Sequence, residues 1–369
     1  PMRVAFFNII LPLQIGARDV AFPRLNALSY WMFLFGGLLL NLGWLVGQVP
    51  QAGWFAYAPL TSNQYSPGLG MHFYALGLLV LGTSSLAGAL NFLVTIINLR
   101  APGMTLMRMP VFTWMTFITS FLLVFAIPVI TIGLVELLFD RYFGANFFNV
   151  SAGADPLLWQ HLFWVFGHPE VYIAILPGMG VASQLLSTFA RKPIFGYRAM
   201  VVAIFAIGLL GFFVWGHHMF VTGMNPFLGS VFTFTTLLIA IPSAVKAFNY
   251  ITTIWKGNIQ FNPAMLFAIG LVSTFISGGL TGIILGNSAL DINLHDTYFV
   301  VAHFHLVMGI SALYGLFAGV YHWFPKMFRR MMNKNLGYVH FWITAIGAYG
   351  VFFPMHFIGM AGLPRRYYT

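Results

Sequence analysis

The sequence predicts an all-α fold, a polytopic bundle of transmembrane helices. Three observations carry that prediction. Of 369 residues, 59% are hydrophobic and only 7% are charged, a balance that marks membrane proteins. The apolar residues come in runs of about 20 or more, each long enough as helix to cross ~30 Å of hydrocarbon. Basic residues gather in alternate loops between those runs.

Residues 1–16 are apolar but too short to span, and read as the tail of a helix. Complete spans are expected at roughly 25–48, 71–98, 111–138, 157–186, 197–222, 229–254, 263–286, 297–324 and 336–360. That makes about nine complete spans plus the tail of one more, in a single membrane domain over 1–369. The chain begins at Pro1, not Met, and ends after Arg365-Arg366-Tyr367-Tyr368-Thr369, so it reads as a fragment of a longer polypeptide. With 38 Gly and 19 Pro, close helix contacts and kinks are expected. No soluble domain, repeat or low-complexity stretch is visible.

The chain has no Cys, which excludes disulfides, thiolate metal sites and cysteine nucleophiles. Its net charge of +10 would point to nucleic acid in a soluble domain. Here the charge has another origin. Arg18, Arg24, Arg100, Arg108, Arg191, Lys192, Arg198, Lys256, Lys326, Arg329, Arg330 and Lys334 all fall in every second loop. The loops between carry none, except for Arg141. The positive-inside rule puts the first set at the inner surface, with no nucleic-acid partner implied. Arg365 and Arg366 break that pattern, and paired guanidinium groups suit buried carboxylates or phosphates.

The chemistry centres on His303 and His305. On a helix running from about Asp296, residues two apart point about 200° from each other. The two imidazoles therefore face different neighbours. Buried His in a membrane span marks function, and neutral imidazole is a common metal ligand. His168 precedes Pro169, which bends its helix. His217 and His218 lie near the outer end of the next span, about 100° apart on a helix. Three neutral imidazoles suit copper or zinc, and geometry leaves both open.

Tyr172 follows His168 by four residues, on the same face. Glu170 is the one acid inside its span, and a carboxyl in hydrocarbon is a natural proton relay. Lys246 lies in the inner half of its span, as a snorkelling side chain or a proton carrier. His295 and Asp296 sit at the outer mouth, ~12 Å along the helix from His303, where the acid also suits a helix start.

Four motifs carry a resemblance. They are His-Asp-Thr-Tyr-Phe-Val-Val-Ala-His-Phe-His (295–305), Trp-Val-Phe-Gly-His-Pro-Glu-Val-Tyr (164–172), Val-Trp-Gly-His-His-Met-Phe (214–220) and Pro-Arg-Arg-Tyr (364–367). Together, in this order, they resemble subunit I of the haem-copper oxidases, in the subgroup with Glu in His-Pro-Glu-Val-Tyr. The resemblance covers essentially the whole chain and implies a fragment lacking the first two helices and the C-terminus.

That resemblance implies two haems and a copper ion, CuB. His168, His217 and His218 would hold copper, His303 the high-spin haem iron and His305 the low-spin haem iron. The family's second low-spin ligand comes from a helix absent here. Arg365 and Arg366 would hold haem propionates, with Trp114 and Trp164 near the propionates and copper. In the family, Tyr172 is linked covalently to His168 and donates in O–O cleavage.

Two proton routes are implied. A D channel would run from Asp19 past Asn8, Asn26, Ser84, Ser85 and Asn91 to Glu170. Family members commonly carry Asn where this chain has Ala27, which weakens the expectation of efficient pumping. A K channel would use Lys246, with Ser243 in place of the usual Thr. His295 and Asp296 would bind Mg²⁺ at the interface with subunit II.

The function implied is a terminal respiratory oxidase. It would reduce O₂ to water with electrons from cytochrome c and translocate protons, with subunits II and III, in a bacterial plasma membrane (alternatively the mitochondrial inner membrane). Gln14-Ile15-Gly16-Ala17-Arg18-Asp19 resembles quinol oxidases as well, so quinol is the alternative donor. Asp296 leans the other way, because quinol-oxidising relatives usually carry Asn there. A secondary transporter with its site at the level of Glu170 and Lys246 is the reading from another class. It lacks an internal repeat and does not explain so many buried His. A nitric oxide reductase, with iron for copper, is opposed by Glu170-Val171-Tyr172.

Overall fold

The structure is a computed structural model that describes residues 2–367, with the main chain alone at 2 and 3. Pro1, Tyr368 and Thr369 lie outside the described residues. The helices are α1 (Met2–Ile15), α2 (Pro23–Leu45), α3 (Gly70–Asn98), α4 (Val111–Phe143), α5 (Leu157–Ala190), α6 (Tyr197–Leu210) and α7 (Pro226–Ile254). They continue with α8 (Pro263–Leu285), α9 (Ser288–Leu294), α10 (Tyr298–Phe304), α11 (Ser311–Phe328), α12 (Lys334–Phe352) and α13 (Met355–Met360). The fold is all-α, with no strand among the described residues; one isolated bridge joins Thr297 and Pro364.

Among the described residues, eight helices are long and apolar enough to cross a membrane, α10 and α11 counting as one and α12 and α13 as another. The ninth expected span, 197–222, is not one helix. It is α6, 14 residues long, followed by a 3₁₀ turn at Trp215–Met219. The apolar run reads as continuous, but Gly211 ends the helix and Gly216 sits in the turn, and glycine is the weakest helix former after proline. The span expected from about Asp296 begins instead at Tyr298, because Asp296 adopts a left-handed φ of 56° and Thr297 is the cap.

Helix starts follow local chemistry. Pro23, Pro226 and Pro263 stand at first helical positions, where a missing N–H costs nothing. Asn225, Asn262, Asn287, Thr297 and Asn333 each accept a hydrogen bond from an amide two or three residues on.

The chain forms two compact units. The first comprises Pro1–Ala17, Arg100–Thr119 and Val171–Thr369. In it α8 packs against α11 and α12, and α10 against α13. Phe267 of α8 is fully buried against the rings of Tyr314, Tyr321, His340 and Phe341.

The second unit comprises Arg18–Leu99 and Ser120–Glu170. Its core is the α2–α3 hairpin with the long loop that joins them. Arg141, the exception among the loop charges, is buried at the end of α4 and clamps that loop. Its guanidinium donates to the carbonyls of Thr61 (2.5 Å), Ser66 (3.0 Å) and Gly68 (3.0 Å), and to His72 Nε2 (3.3 Å). The charge serves as a multiple hydrogen-bond donor, so it carries no information about membrane sidedness.

Removing the clamp strands three carbonyls. Arg141→Leu is expected to cost about 2–4 kcal/mol of stability. Hydrogen exchange across residues 46–69 should accelerate in the detergent-solubilised protein. Exchange identical to that of the unmodified chain would show that the loop holds itself.

Candidate metal centre

The 3₁₀ turn at Trp215–Met219 places His217 and His218 about 120° apart, at three residues per turn. Their Nε2 atoms stand 3.1 Å from each other. His217 Nδ1 lies 2.9 Å from Thr236 Oγ1 on α7. With Nδ1–H donated to that hydroxyl, the Nε2 lone pair is left for an ion, the usual second-shell arrangement of a metal-binding His. Gly216 is required here, since a Cβ would meet the Phe232 ring at 2.3 Å.

The span carrying the other two His is irregular where it matters. α10 ends at Phe304, and His305–Ile310 forms a π turn before α11. His303 Nδ1 lies 2.8 Å from the carbonyl of Gly278 on α8. His305 Nδ1 lies 2.8 Å from the carbonyl of Val301. A carbonyl only accepts, so each Nδ1 carries the proton and each Nε2 presents a lone pair. The two rings face different helices. His303 lies against α8, where a Cβ on Gly282 would stand 2.9 Å from its Cε1. His305 stacks on Phe352 of α12, centroids 4.3 Å apart and planes 9° apart.

Gly278 has two roles. Its carbonyl fixes the His303 tautomer, and its missing side chain admits the π turn. A Cβ there would stand 2.4 Å from the amide nitrogen of Val307.

Tyr172 lies on α5 against Gly211, the residue that closes α6 six positions before His217. His168 and Glu170 belong to the second unit's part of α5. Helix register puts His168 and Tyr172 on one face and turns Glu170 away from both.

Lys246 is fully buried, and its Nζ donates to Met179 Sδ at 2.7 Å. A thioether is a weak acceptor, so this ammonium is poorly compensated. Tyr250, one turn on, bonds the Met179 carbonyl at 3.0 Å and Ser183 Oγ at 2.9 Å. Ser243, expected beside the lysine, spends its hydroxyl on its own helix at Ile239. Ser183 and Tyr250 escaped the sequence reading, although Tyr250 follows Lys246 by four residues.

The residues expected to line the other route have local partners. Asn91 is fully buried and holds Phe22 by both amide atoms, accepting from its N–H at 2.9 Å and donating to its carbonyl at 3.2 Å. Ser84 and Ser85 donate to the carbonyls of Ser29 and Leu81, and Asn8 to that of Val4. Asn26 continues the first turn of α2 through its amide, and Asp19 Oδ1 accepts from the Val20 amide.

The two tryptophans part company. Trp114 donates to Tyr197 OH at 3.1 Å, at the first residue of α6. His217 lies beyond the last, so α6 alone separates them by ~20 Å. That position removes Trp114 from the level of His217. Trp164 donates to Tyr57 OH and packs edge-on to Trp54, a ring the sequence reading did not pick.

At the outer mouth, His295 Nδ1 lies 3.0 Å from Asp291 Oδ2 and its Nε2 4.0 Å from Asp296 Oδ2. Asp291, nearly fully buried, is an acid the sequence reading passed over; its signal was the four-residue spacing to His295. Asp296 Oδ1 accepts from Arg365 Nη2 at 2.8 Å and from Arg366 Nη2 at 2.6 Å. Burial alone would raise the Asp296 carboxyl, but Arg365, His295 and Arg366 outweigh it and hold its pKa below the usual value. Thus the two arginines expected at propionates engage a carboxylate of the chain itself.

These side chains fit the groups implied by the motifs. Proton-bearing Nδ1 atoms leave Nε2 lone pairs on His303 and His305, and His217 and His218 turn adjacent nitrogens together.

Comparison with known proteins agrees. Residues 1–369 match the family described as Cytochrome C and Quinol oxidase polypeptide I. The chain is 52% identical over 369 residues to cytochrome c oxidase subunit 1 of Bacillus sp. (strain PS3), covering 100% of this chain and 60% of that relative. It is 50% identical over 369 residues to quinol oxidase subunit 1 of Bacillus subtilis (strain 168), covering 100% of this chain and 57% of that relative. A solved chain of a heme-copper terminal oxidase dimer shares the fold, with a TM-score of 0.83 at 21% identity, over 99% of this chain and 65% of that one. The chain thus spans about 60% of the length of the curated relatives it matches. With its whole length matched, it belongs to the haem-copper oxidase subunit I family.

Proposed function

We propose that this chain is the catalytic core of a terminal oxidase that reduces O₂ to water with electrons from cytochrome c. The observation that carries the reading is the His303–His305 pair. Two imidazoles on one span each have Nδ1 held by a backbone carbonyl and face different helices, α8 and α12.

His303 would hold the high-spin haem and His305 the low-spin haem. Copper would be held by His168, His217 and His218, the set that the resemblance to the family implies. Bound there, the haems and copper supply the electron transfer and oxygen chemistry. The chain's own residues do the rest. Thr236 orients the His217 ring. Tyr172, near the segment that leads to His217, stands as a proton and hydrogen donor. Lys246 carries protons through the interior toward Tyr172, with Tyr250 and Ser183 as its polar neighbours. Asp19 and Glu170 begin and end a second route, with Asn8, Asn26, Ser84, Ser85 and Asn91 along it. Proton uptake along both would be coupled to translocation across the membrane. Trp164 would stand near the copper.

The donor reading rests on Asp296, a position where the resemblance implies that quinol-oxidising members usually carry Asn. His295 and Asp296 would bind Mg²⁺ against subunit II, and subunit III would complete the enzyme. The arginines would then divide their donors between Asp296 and the propionates. Similarity to Bacillus subunits supports a bacterial plasma membrane.

Three outcomes are expected in the full-length oxidase. His217→Ala drops oxygen consumption to background while the low-spin haem spectrum persists; normal turnover would remove His217 from the site. Lys246→Met slows reduction of the high-spin haem by at least about 100-fold, and unchanged kinetics would end its assignment as a proton carrier. Reduced cytochrome c sustains turnover and ubiquinol or menaquinol does not; the reverse would make the enzyme a quinol oxidase.

A further inference from the structure

The π turn at His305–Ile310 is closed by side chains from two helices. The Ser311 amide turns back to the Met308 carbonyl, three residues earlier. Its hydroxyl reaches the Leu306 carbonyl, five residues earlier, at 2.7 Å. The same oxygen lies 2.8 Å from Thr274 Oγ1 on α8 and 3.5 Å from the Leu271 carbonyl. Thr274 Oγ1 is itself 3.0 Å and 3.2 Å from the carbonyls of Gly270 and Leu271. Both hydroxyls are fully buried.

Each hydroxyl has one proton to give. With the Ser311 proton given to Leu306, Thr274 shares its proton between Ser311 and the carbonyls of Gly270 and Leu271. The two bonds link α8 through Ser311 to the Leu306–Val307 peptide, one residue beyond His305. On the other side of the turn, Gly278 lets α8 touch the Val307 amide. The turn is therefore gripped from α8 at both 306 and 307. His305 opens this turn, and its ring is bounded by Val301, Phe352 and Gly309. A shift of the Leu306 peptide carries the His305 Cα with it and re-tilts the imidazole.

We propose that the Ser311–Thr274 hydroxyl pair locks the π turn, and that Ser311 is a positioning residue setting the plane of the His305 imidazole. The lock rests on the reading of His305 as a haem ligand given above. Its function is to fix the orientation of an axial ligand, which tunes the electronic structure of a low-spin haem.

The test uses haem-loaded full-length oxidase bearing Ser311→Ala, Thr274→Val or Thr274→Ser. Electron paramagnetic resonance of the oxidised low-spin haem reads the ligand plane, and the optical absorption of the high-spin haem is the internal control. The Ala and Val variants are expected to shift the low-spin g values and leave the high-spin absorption in place. The Ser variant, which keeps the hydroxyl, is expected to match the unmodified enzyme. Amide exchange across 305–311 should quicken by about tenfold in the Ala and Val variants. Should Ser311→Ala fail to assemble, Thr274→Val, close in shape to the native residue, decides. Unshifted g values and unchanged exchange in an assembled variant would overturn the lock. Absence of any low-spin signal from the unmodified enzyme would instead overturn the haem reading, and the exchange rates would still judge the lock.

Discussion

Everything at the candidate centre depends on what the backbone does to two imidazoles. His303 and His305 each give their Nδ1 proton to a main-chain carbonyl. That bond selects the tautomer, orients the ring and leaves Nε2 as an acceptor. The positions of Gly278, the π turn and Phe352 then follow as the means of aiming those two lone pairs apart.

The membrane sets the other constraint. Several polar groups inside the helices find partners there in short chains: Thr274 with Ser311, Ser183 with Tyr250, Asn91 with Phe22. Charged groups follow the same rule. Arg141 is spent on three carbonyls, and Arg365 and Arg366 on Asp296. Lys246 departs from it, with a sulfur as its acceptor.

Much of this was legible in the sequence because it depends on local periodicity. Long apolar runs give helices, Pro and Asn at their starts give boundaries, and a two-residue spacing on a helix gives opposite faces. What escaped depends on contacts distant in sequence. The break after Leu210 was hidden because the residues around Gly211 and Gly216 are as apolar as a helix interior; only the Phe232 ring makes the second glycine necessary. The left-handed turn at Asp296 requires the Arg365 segment to dock on it. Trp114 was placed near the propionates and copper by resemblance alone, yet its partner Tyr197 sits at the far end of α6 from His217. Thr236, Ser183 and Ser311 look like ordinary membrane-helix hydroxyls until a neighbouring helix supplies their partners.

The most direct measurement is metal content and visible absorption of the purified full-length protein, taken with its oxygen consumption. The account predicts about two haem irons and one copper per chain, a low-spin and a high-spin haem spectrum, and rapid uptake of oxygen. A colourless preparation that holds neither iron nor copper and leaves oxygen untouched would contradict it.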